Sequence, residues 1–183
     1  AARFFVQCLS DPERGKKARD YLAKRQIDLK IAQECFLGYA PGEGQGLLKF
    51  LQAQNIAPET AVQLGLIRKN ERGYFDFFRD RVLFTILSTE GGVLGFSGRA
   101  LEDAQQPKYL NSPDTIIYNK SESLLGLQTA RGAIRQEKQV ILVEGNVEWL
   151  RLVQVGIRQV VAPLGTALTV KQIQLLSRWT EDF

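Results

Sequence analysis

Two short, continuous apolar runs near the end of the chain constrain its fold most strongly. They cover residues 139–143 and 159–162, and each is followed by a stretch with helical periodicity. Uninterrupted apolar character is typical of strands buried on both faces, and a strand–helix–strand unit predicts a right-handed crossover between parallel strands. Residues 121–183 are therefore predicted to begin an α/β domain with a parallel sheet, whose third strand would open at Phe183.

The residues before this unit have a different character. Up to Gly65 the apolar residues recur with helical spacing. Ser-Asp-Pro-Glu at 10–13 has the form of a capping box for a helix that runs to about Arg25, and Asp28 can cap the next helix. These patterns predict a helical first third of the chain.

After Gly65 the pattern favours strands. Residues 81–87 and 93–97 are rich in strand-forming side chains and are joined by Gly91-Gly92, which predicts a hairpin. Residues 102–120 lack a clear period and indicate a structured loop, and a helix is predicted over 121–135.

The predicted architecture has two parts. An α+β subdomain covers 1–120, and the truncated start of an α/β subdomain covers 121–183. The chain has no methionine and ends directly after a helical pattern, so we expect it to be a piece of a longer protein.

Composition excludes several kinds of site. With two cysteines and no histidine, a structural zinc site and a Ser-His-Asp or Cys-His catalytic device are not expected. No apolar run approaches the roughly 20 residues that span a bilayer, and no signal peptide is recognised, so a cytoplasmic protein without a membrane partner is expected. The net charge of +4 is compatible with a polyanionic partner but does not require one.

A pair of acidic residues follows the first apolar run. Glu144-Gly145 comes directly after it, and Glu148 lies four residues further on, in the first turn of the next predicted helix. Ligands bind at the carboxyl ends of strands in open α/β sheets, and two carboxylates there suit a hard divalent cation. The alternative is that both acids only interact favourably with the helix dipole.

Cations and aromatic residues alternate in the middle of the chain. Residues 68–81 contain five Arg and Lys residues, with Tyr74, Phe75, Phe77 and Phe78 among them. Cations bind phosphates, and aromatic rings stack on unpaired bases, so this composition fits single-stranded nucleic acid. The alternative is a solvated face whose charges are balanced by neighbouring acids, with the phenylalanines in the core.

Several stretches together resemble the catalytic core of bacterial DnaG-type primases. They occur in the order found in that family and extend over nearly the whole chain. They are Ala-Arg-Asp-Tyr-Leu (18–22), Leu-Gly-Tyr-Ala-Pro (37–41), Phe-Arg-Asp-Arg-Val-Leu-Phe (78–84), Gly-Phe-Ser-Gly-Arg (95–99), Pro-Lys-Tyr-Leu-Asn-Ser-Pro (107–113), Val-Glu-Gly (143–145) and Leu-Gly-Thr-Ala-Leu-Thr (164–169).

The resemblance implies an enzyme that makes short RNA primers on single-stranded DNA by metal-dependent nucleotidyl transfer. It implies that Glu144 and Glu148 act at a Mg²⁺ or Mn²⁺ site in a Toprim fold, with the remaining ligands beyond Phe183. The family's nucleic-acid and nucleotide-binding positions correspond to the following residues: Arg81, Arg99, Lys108, Tyr109, Asn111 and Lys120.

The resemblance also implies partners and a location. The partners are a single-stranded DNA template, ribonucleoside triphosphates, an RNA–DNA hybrid and, through a C-terminal region outside this chain, the replicative helicase. The location is the bacterial cytoplasm, at replication forks on the nucleoid.

The metal motif departs from the family pattern, Glu-Gly-Tyr-x-Asp-Val. Asn146 stands where the family has an aromatic residue, and Glu148 stands where it has Asp. Asn119 occupies a position where the family often has His. These differences leave open a catalytically inactive, primase-like module that binds single-stranded DNA. Another Toprim enzyme and a purely structural fragment are further alternatives, and this chain alone is expected not to make primers.

Overall fold

The structure, a computed structural model, describes residues 1–165 and 167–182. Helices occupy most of the first third of the chain, where short strand β1 (Gly38–Ala40) interrupts them. The helices are α1 (Ala2–Ser10), α2 (Lys16–Lys24), α3 (Leu29–Glu34), α4 (Gly46–Ala53) and α5 (Pro58–Gln63). The predicted helical character of this region is confirmed.

The start of α2 differs from the prediction. Asp11 lies at the end of α1, and its carboxylate accepts hydrogen bonds from the backbone N–H groups of Glu13 (3.0 Å) and Arg14 (2.8 Å). These bonds close a turn, so the capping box predicted at 10–13 is wrong and α2 begins only at Lys16. The predicted cap at Asp28 is confirmed, because its side chain accepts a hydrogen bond from the N–H of Lys30.

A four-stranded antiparallel sheet follows. Its order is β1–β4–β5–β6, where β4 is Arg81–Leu87, β5 is Val93–Ala100 and β6 is Tyr109–Asn111. The predicted hairpin is therefore confirmed as β4–β5. A separate hairpin of β2 (Ile67–Asn70) and β3 (Gly73–Asp76) was not predicted, because Arg-Lys-Asn in β2 lacks the apolar alternation of a half-buried strand.

The two faces of the four-stranded sheet contact different layers. On one face, Phe96 contacts Phe5 of α1, with ring centroids 5.2 Å apart, and also contacts Phe78. On the other face, the Phe84 ring lies 6.5 Å from the Trp149 ring, which belongs to the second part of the chain. The sheet is therefore a middle layer between the N-terminal helices and the second part.

The second part contains a small mixed sheet. Its order is β7–β9–β8, with β8 and β9 parallel and β7 antiparallel to β9. Its elements are β7 (Leu124–Leu125), α6 (Leu127–Glu137), β8 (Ile141–Leu142), α7 (Asn146–Gln154), β9 (Val160–Pro163) and α8 (Val170–Leu176). The predicted parallel pair is confirmed.

Two further predictions concern the ends of this second part. The helix predicted over 121–135 begins only at Leu127, because a 3-10 turn (Lys120–Glu122) and β7 occupy the preceding residues. The third strand predicted to open at Phe183 lies outside the described residues, as does Thr166 of the predicted loop. The described chain ends beside β8, where the N–H of Val140 donates to the carbonyl of Asp182 (3.0 Å).

Across the described ranges, no helix has both the length and the apolar character that a membrane crossing requires.

The contact between Gly126 and Trp149 fixes how α6 packs on α7. Gly126 has a φ of +83°, and a Cβ there would lie 2.1 Å from Nε1 of Trp149. The indole N–H donates to the carbonyl of Val160 (3.1 Å), so the ring cannot move without losing that bond.

Gly126→Ala is expected to lower the free energy of unfolding by about 3 kcal/mol, because overpacking adds to a left-handed backbone strain. Gly132→Ala, inside α6 and with no atom within 4 Å of its Cβ, is the control and is expected to raise stability by about 0.5–1 kcal/mol. Urea unfolding measures both changes. Equal effects at the two positions would contradict this account of the packing.

Candidate functional site

A groove of about 750 Å³ opens between the four-stranded sheet and the second part of the chain. From the sheet it is lined by Ser97, Tyr109 and Asn111. Lys120, at the end of the first part, also lines it, and from the second part it is lined by residues 142–146, residues 163–165 and Leu168. Four of the residues predicted as site residues therefore meet in one place: Tyr109, Asn111, Lys120 and Glu144.

Glu144 and Glu148 have different environments. Glu144 lies two residues after the end of β8, is exposed and lines the groove. Glu148 lies in the first turn of α7, where its carboxylate accepts a hydrogen bond from the backbone N–H of Gly145 (3.2 Å). Glu148 thus caps the helix that begins beside Glu144, and it does not line the groove.

The donor atoms fit part of a divalent-cation site. Glu144 offers a carboxylate to the groove, and the buried Oδ1 of Asn111 has no hydrogen-bond partner in the described structure. Oxygen ligands of these kinds suit Mg²⁺ or Mn²⁺. Within residues 1–165 and 167–182, no cluster of three or more His, Cys, Asp or Glu side chains could complete such a site.

Asn146 holds the start of α7 against the sheet. Its side chain is 5% exposed, and its Nδ2 donates to Oγ of Ser97 on β5 (2.7 Å). This is the position where an aromatic residue was expected from the family pattern. The amide therefore has a structural role that fixes the distance between the Glu144 loop and β5.

Lys120 and Asn111 are both held by hydrogen bonds to neighbouring residues. The N–H of Lys120 donates to the carboxylate of Asp114 (2.9 Å), while its carbonyl accepts from Nε2 of Gln172 (3.2 Å). The Asn111 amide donates to the carbonyl of Leu164, and its buried Oδ1 has no hydrogen-bond partner among the described residues. Lys120 thus presents an exposed ammonium group from a fixed backbone.

Arg99 is buried and does not line the groove. Its side chain is 2% exposed, and its Nη1 donates to the carbonyl of Ala100 (2.7 Å). Its guanidinium lies 5.4 Å from the ring of Tyr109 and 5.8 Å from the ring of Tyr21. Burial raises the pKa of Tyr109, so this ring stays neutral above a buried cation.

Arg81 and Lys108 are placed away from the groove. The register pairs Arg81 with Ala100 and Val82 with Arg99, so Arg81 and Arg99 occupy opposite faces of the sheet. Arg81 is buried, donates to the carbonyls of Gly98 (3.2 Å) and Lys108 (3.4 Å), and has a pKa lowered by burial and then by Arg99. Lys108 is exposed and does not line the groove.

Ser97 and Gln172 were not predicted as part of the site. Ser97 lies inside the Gly-Phe-Ser-Gly-Arg stretch, but its contact with Asn146 spans 49 residues of sequence. Gln172 is buried, and its side-chain Nε2 donates to the carbonyls of Lys120 and Ser123. It lies three residues after Thr169, which is the spacing of a capping box, and the structure contains that capping box. Capping-box spacing was the available signal for Gln172.

Comparison with known proteins identifies relatives of both parts. The family described as DNA primase catalytic core, N-terminal domain, matches residues 4–131, and the Toprim domain matches residues 138–182. Proteins named DNA primase from Synechococcus elongatus and Aquifex aeolicus are 43% and 41% identical over 100% and 92% of this chain. The chain spans only 26% and 34% of their lengths.

Solved structures match over almost the whole chain. The RNA polymerase domain of Mycobacterium tuberculosis primase DnaG has a TM-score of 0.92 at 33% identity, covering 99% of this chain and 59% of that one. A DnaG primase catalytic domain bound to ssDNA has a TM-score of 0.89 at 36% identity, covering 99% of this chain and 58% of that one. The match over residues 4–131 distinguishes this chain from other Toprim enzymes.

The Asn146–Ser97 hydrogen bond can be measured with a double-mutant cycle. Asn146→Ala and Ser97→Ala are each expected to lower the free energy of unfolding by about 1–3 kcal/mol, because each leaves a buried polar partner unsatisfied. The double variant is expected to lose less than the sum of the two, with a coupling energy of about 1 kcal/mol. Strictly additive losses would mean that the bond does not join α7 to β5.

Proposed function

The chain belongs to the DNA primase catalytic core family, and from this premise we propose that it provides one side of a primase active site. The proposed activity is synthesis of short RNA primers on single-stranded DNA by nucleotidyl transfer. The observation that carries the proposal is the groove, where Tyr109, Asn111, Lys120 and Glu144 converge from three separate segments.

The groove suits the chemistry of nucleotidyl transfer. In that reaction a 3′-hydroxyl attacks the α-phosphate of an incoming ribonucleoside triphosphate, and pyrophosphate leaves. A divalent cation, when bound, lowers the pKa of the hydroxyl and offsets charge on the phosphoryl oxygens. We propose that Glu144 is its ligand from this chain, and that Glu148 contributes when it releases the N–H of Gly145.

The proposed roles of the other site residues follow from where their side chains lie. Lys120 is exposed at the groove and would bind a phosphate, while the free Oδ1 of Asn111 would accept a hydrogen bond from nucleotide or template. Tyr109 offers a ring face, and Arg99 beneath it is a positioning residue that supports this ring. Arg81 would act through the backbone of Gly98 and Lys108.

The two-part division remains a proposal, with the boundary between 120 and 121. It is supported by β7, which pairs with β9, and by α6, which packs on β9. Both elements therefore belong to the second sheet, although the match to the N-terminal family extends to residue 131.

The proposed partners are a single-stranded DNA template, ribonucleoside triphosphates and the resulting RNA–DNA hybrid. The ssDNA-bound relative supports the first of these by similarity. A replicative helicase would be contacted through a region outside this chain, and the setting would be the bacterial cytoplasm at replication forks. The metal is proposed to be Mg²⁺ or Mn²⁺.

Two observations favour a second candidate, an inactive module that binds single-stranded DNA. The Glu148 carboxylate already accepts a hydrogen bond from Gly145, and Asn146 is buried as a structural contact. Both features weaken the cation site while leaving the basic side of the groove unchanged.

Single-stranded DNA binding tests the groove. Lys120→Ala is expected to weaken binding of a fluorescent oligonucleotide and to reduce the slope of log K against log salt by about 0.7, the value for one lost phosphate contact. Lys30→Ala, which removes an exposed lysine on α3, is the matched control. An equal loss of DNA affinity in both variants would mean that only the overall charge matters and that Lys120 makes no specific contact.

Cation binding tests the role of Glu144 independently of catalysis. Mn²⁺ is expected to broaden the backbone NMR resonances around residues 143–146 selectively, with a dissociation constant on the order of 1 mM because the ligand set is incomplete. Glu144→Gln is expected to abolish the broadening, whereas Glu137→Gln, at the end of α6, is expected to leave it unchanged. Persistence of the broadening in Glu144→Gln would refute the assignment.

A further inference from the structure

The end of the Leu-Gly-Thr-Ala-Leu-Thr stretch (164–169), where α8 begins, has no role in the groove as described above. Thr169 is the last residue of this stretch and the N-cap of α8, and Gln172 lies three residues further on. Oγ1 of Thr169 accepts from the N–H of Gln172 (3.1 Å), and Oε1 of Gln172 accepts from the N–H of Thr169 (3.0 Å). We call these two residues the capping pair.

The capping pair also holds the backbone at Lys120. Nε2 of Gln172 donates to the carbonyls of Lys120 (3.2 Å) and Ser123 (2.7 Å). Oγ1 of Thr169 donates to the carbonyl of Ser121 (2.5 Å). We call residues 120–123 the Lys120 turn. Two side chains at the start of α8 therefore bind three of the four carbonyls in this turn.

The Gln172 amide has a single orientation. A primary amide has two N–H donors and a carbonyl acceptor, and Gln172 uses both kinds of group: Nε2 on two carbonyls of the Lys120 turn and Oε1 on the N–H of Thr169. The side chain is 1% exposed, so water cannot replace these partners. A buried amide that is satisfied in this way fixes the turn relative to α8.

The side chain of Lys120 lies over the same stretch of chain. Its Cε and Nζ lie 3.7 Å and 3.8 Å from the position that a Cβ on Gly165 would occupy. The end of the Lys120 side chain therefore lies over Gly165, while the residue remains exposed and lines the groove. Both the backbone and the side chain of this lysine are thus placed by residues between β9 and the first turn of α8.

We propose that Thr169 and Gln172 are positioning residues for Lys120. This inference rests on the proposed function, in which the Lys120 ammonium group binds a phosphate in the groove. A lysine side chain is long and flexible, and ordering it on binding costs conformational entropy. Holding its backbone before the ligand arrives lowers that cost. Since the capping pair belongs to the second part of the chain and Lys120 to the end of the first, the contact between the two parts sets the position of this cation.

NMR of the whole chain measures the positioning without any ligand. A nuclear Overhauser effect is expected between the ε protons of Lys120 and the α protons of Gly165. Gln172→Leu is neutral and similar in size but has no hydrogen-bonding group, so it is expected to abolish this effect. Gln174→Leu, at an exposed position of the same helix, is the matched control and is expected to preserve it.

A second pair of variants gives the same test with a smaller change. Thr169→Val keeps the shape of the side chain but removes the hydroxyl that donates to Ser121, so it is expected to weaken the Overhauser effect. Thr169→Ser keeps the hydroxyl and is expected to restore it. Circular dichroism confirms that each variant is folded, and this pair decides the question if Gln172→Leu does not fold.

Binding of a fluorescent single-stranded oligonucleotide measures the consequence for the groove. Loss of one phosphate contact in Lys120→Ala is expected to weaken binding about fivefold at 0.1 M salt and to lower the salt slope by about 0.7. Gln172→Leu is expected to approach both values. In a chain that already carries Lys120→Ala, adding Gln172→Leu is expected to change the affinity less than about twofold, because the group that it positions is gone.

The outcomes distinguish this proposal from the proposed function. If the Overhauser effect persists in Gln172→Leu, or if the losses of affinity in Gln172→Leu and Lys120→Ala add, the capping pair does not position Lys120. The groove assignment then stands as long as Lys120→Ala alone weakens binding. If the Overhauser effect is lost but Lys120→Ala leaves DNA binding unchanged, the capping pair does position Lys120, and the phosphate-binding role proposed for this lysine fails.

Discussion

The groove exists because one face of the four-stranded sheet is covered by the second part of the chain. Phe84 and Ser97 project from this face and meet Trp149 and Asn146 of α7, one through ring contact and the other through a hydrogen bond. Trp149 also contacts Gly126 and donates to the carbonyl of Val160. One indole ring thus connects both sheets and two helices, and it belongs to the helix that begins two residues after Glu144.

Two buried arginines, Arg81 and Arg99, lie near the site, and their hydrogen bonds explain why they are tolerated there. An unpaired buried cation is strongly unfavourable unless its hydrogen bonds are satisfied. Arg81 is satisfied by two backbone carbonyls, while Arg99 has one carbonyl, two aromatic faces and a long contact to Asp103 (3.5 Å). Both buried cations raise the electrostatic potential near β6 without contacting solvent directly. Exposed cations such as Lys120 add to this positive potential.

The sequence predicted the elements better than their partners. The hairpin at 81–97 and the parallel pair of β8 and β9 followed from local composition, because strand propensity and apolar continuity are properties of short segments. The start of α2 was missed because Ser-Asp-Pro-Glu suits a turn as well as a cap, and only the end of α1 decides between them. β7 was missed because its two leucines have helical neighbours, and pairing with β9 overrides that preference. Among the site residues, resemblance selected Tyr109, Asn111, Lys120 and Glu144, but no local pattern could show that strand register turns Arg81 to the opposite face.

The acidic end of the site links helix stability to cation binding. Glu148 caps α7 through the N–H of Gly145, and that cap orients the loop that carries Glu144. Recruiting Glu148 as a ligand would release this N–H, so part of the binding free energy would be spent on the helix terminus. The Asn146–Ser97 hydrogen bond reduces this penalty, because it keeps the first turn of α7 against the sheet when the cap opens. In the proposed cation site, the two departures from the family pattern at 146 and 148 would therefore be physically connected. The Asn146 amide anchors the helix start, which would allow the Glu148 carboxylate to exchange between the N–H of Gly145 and a cation.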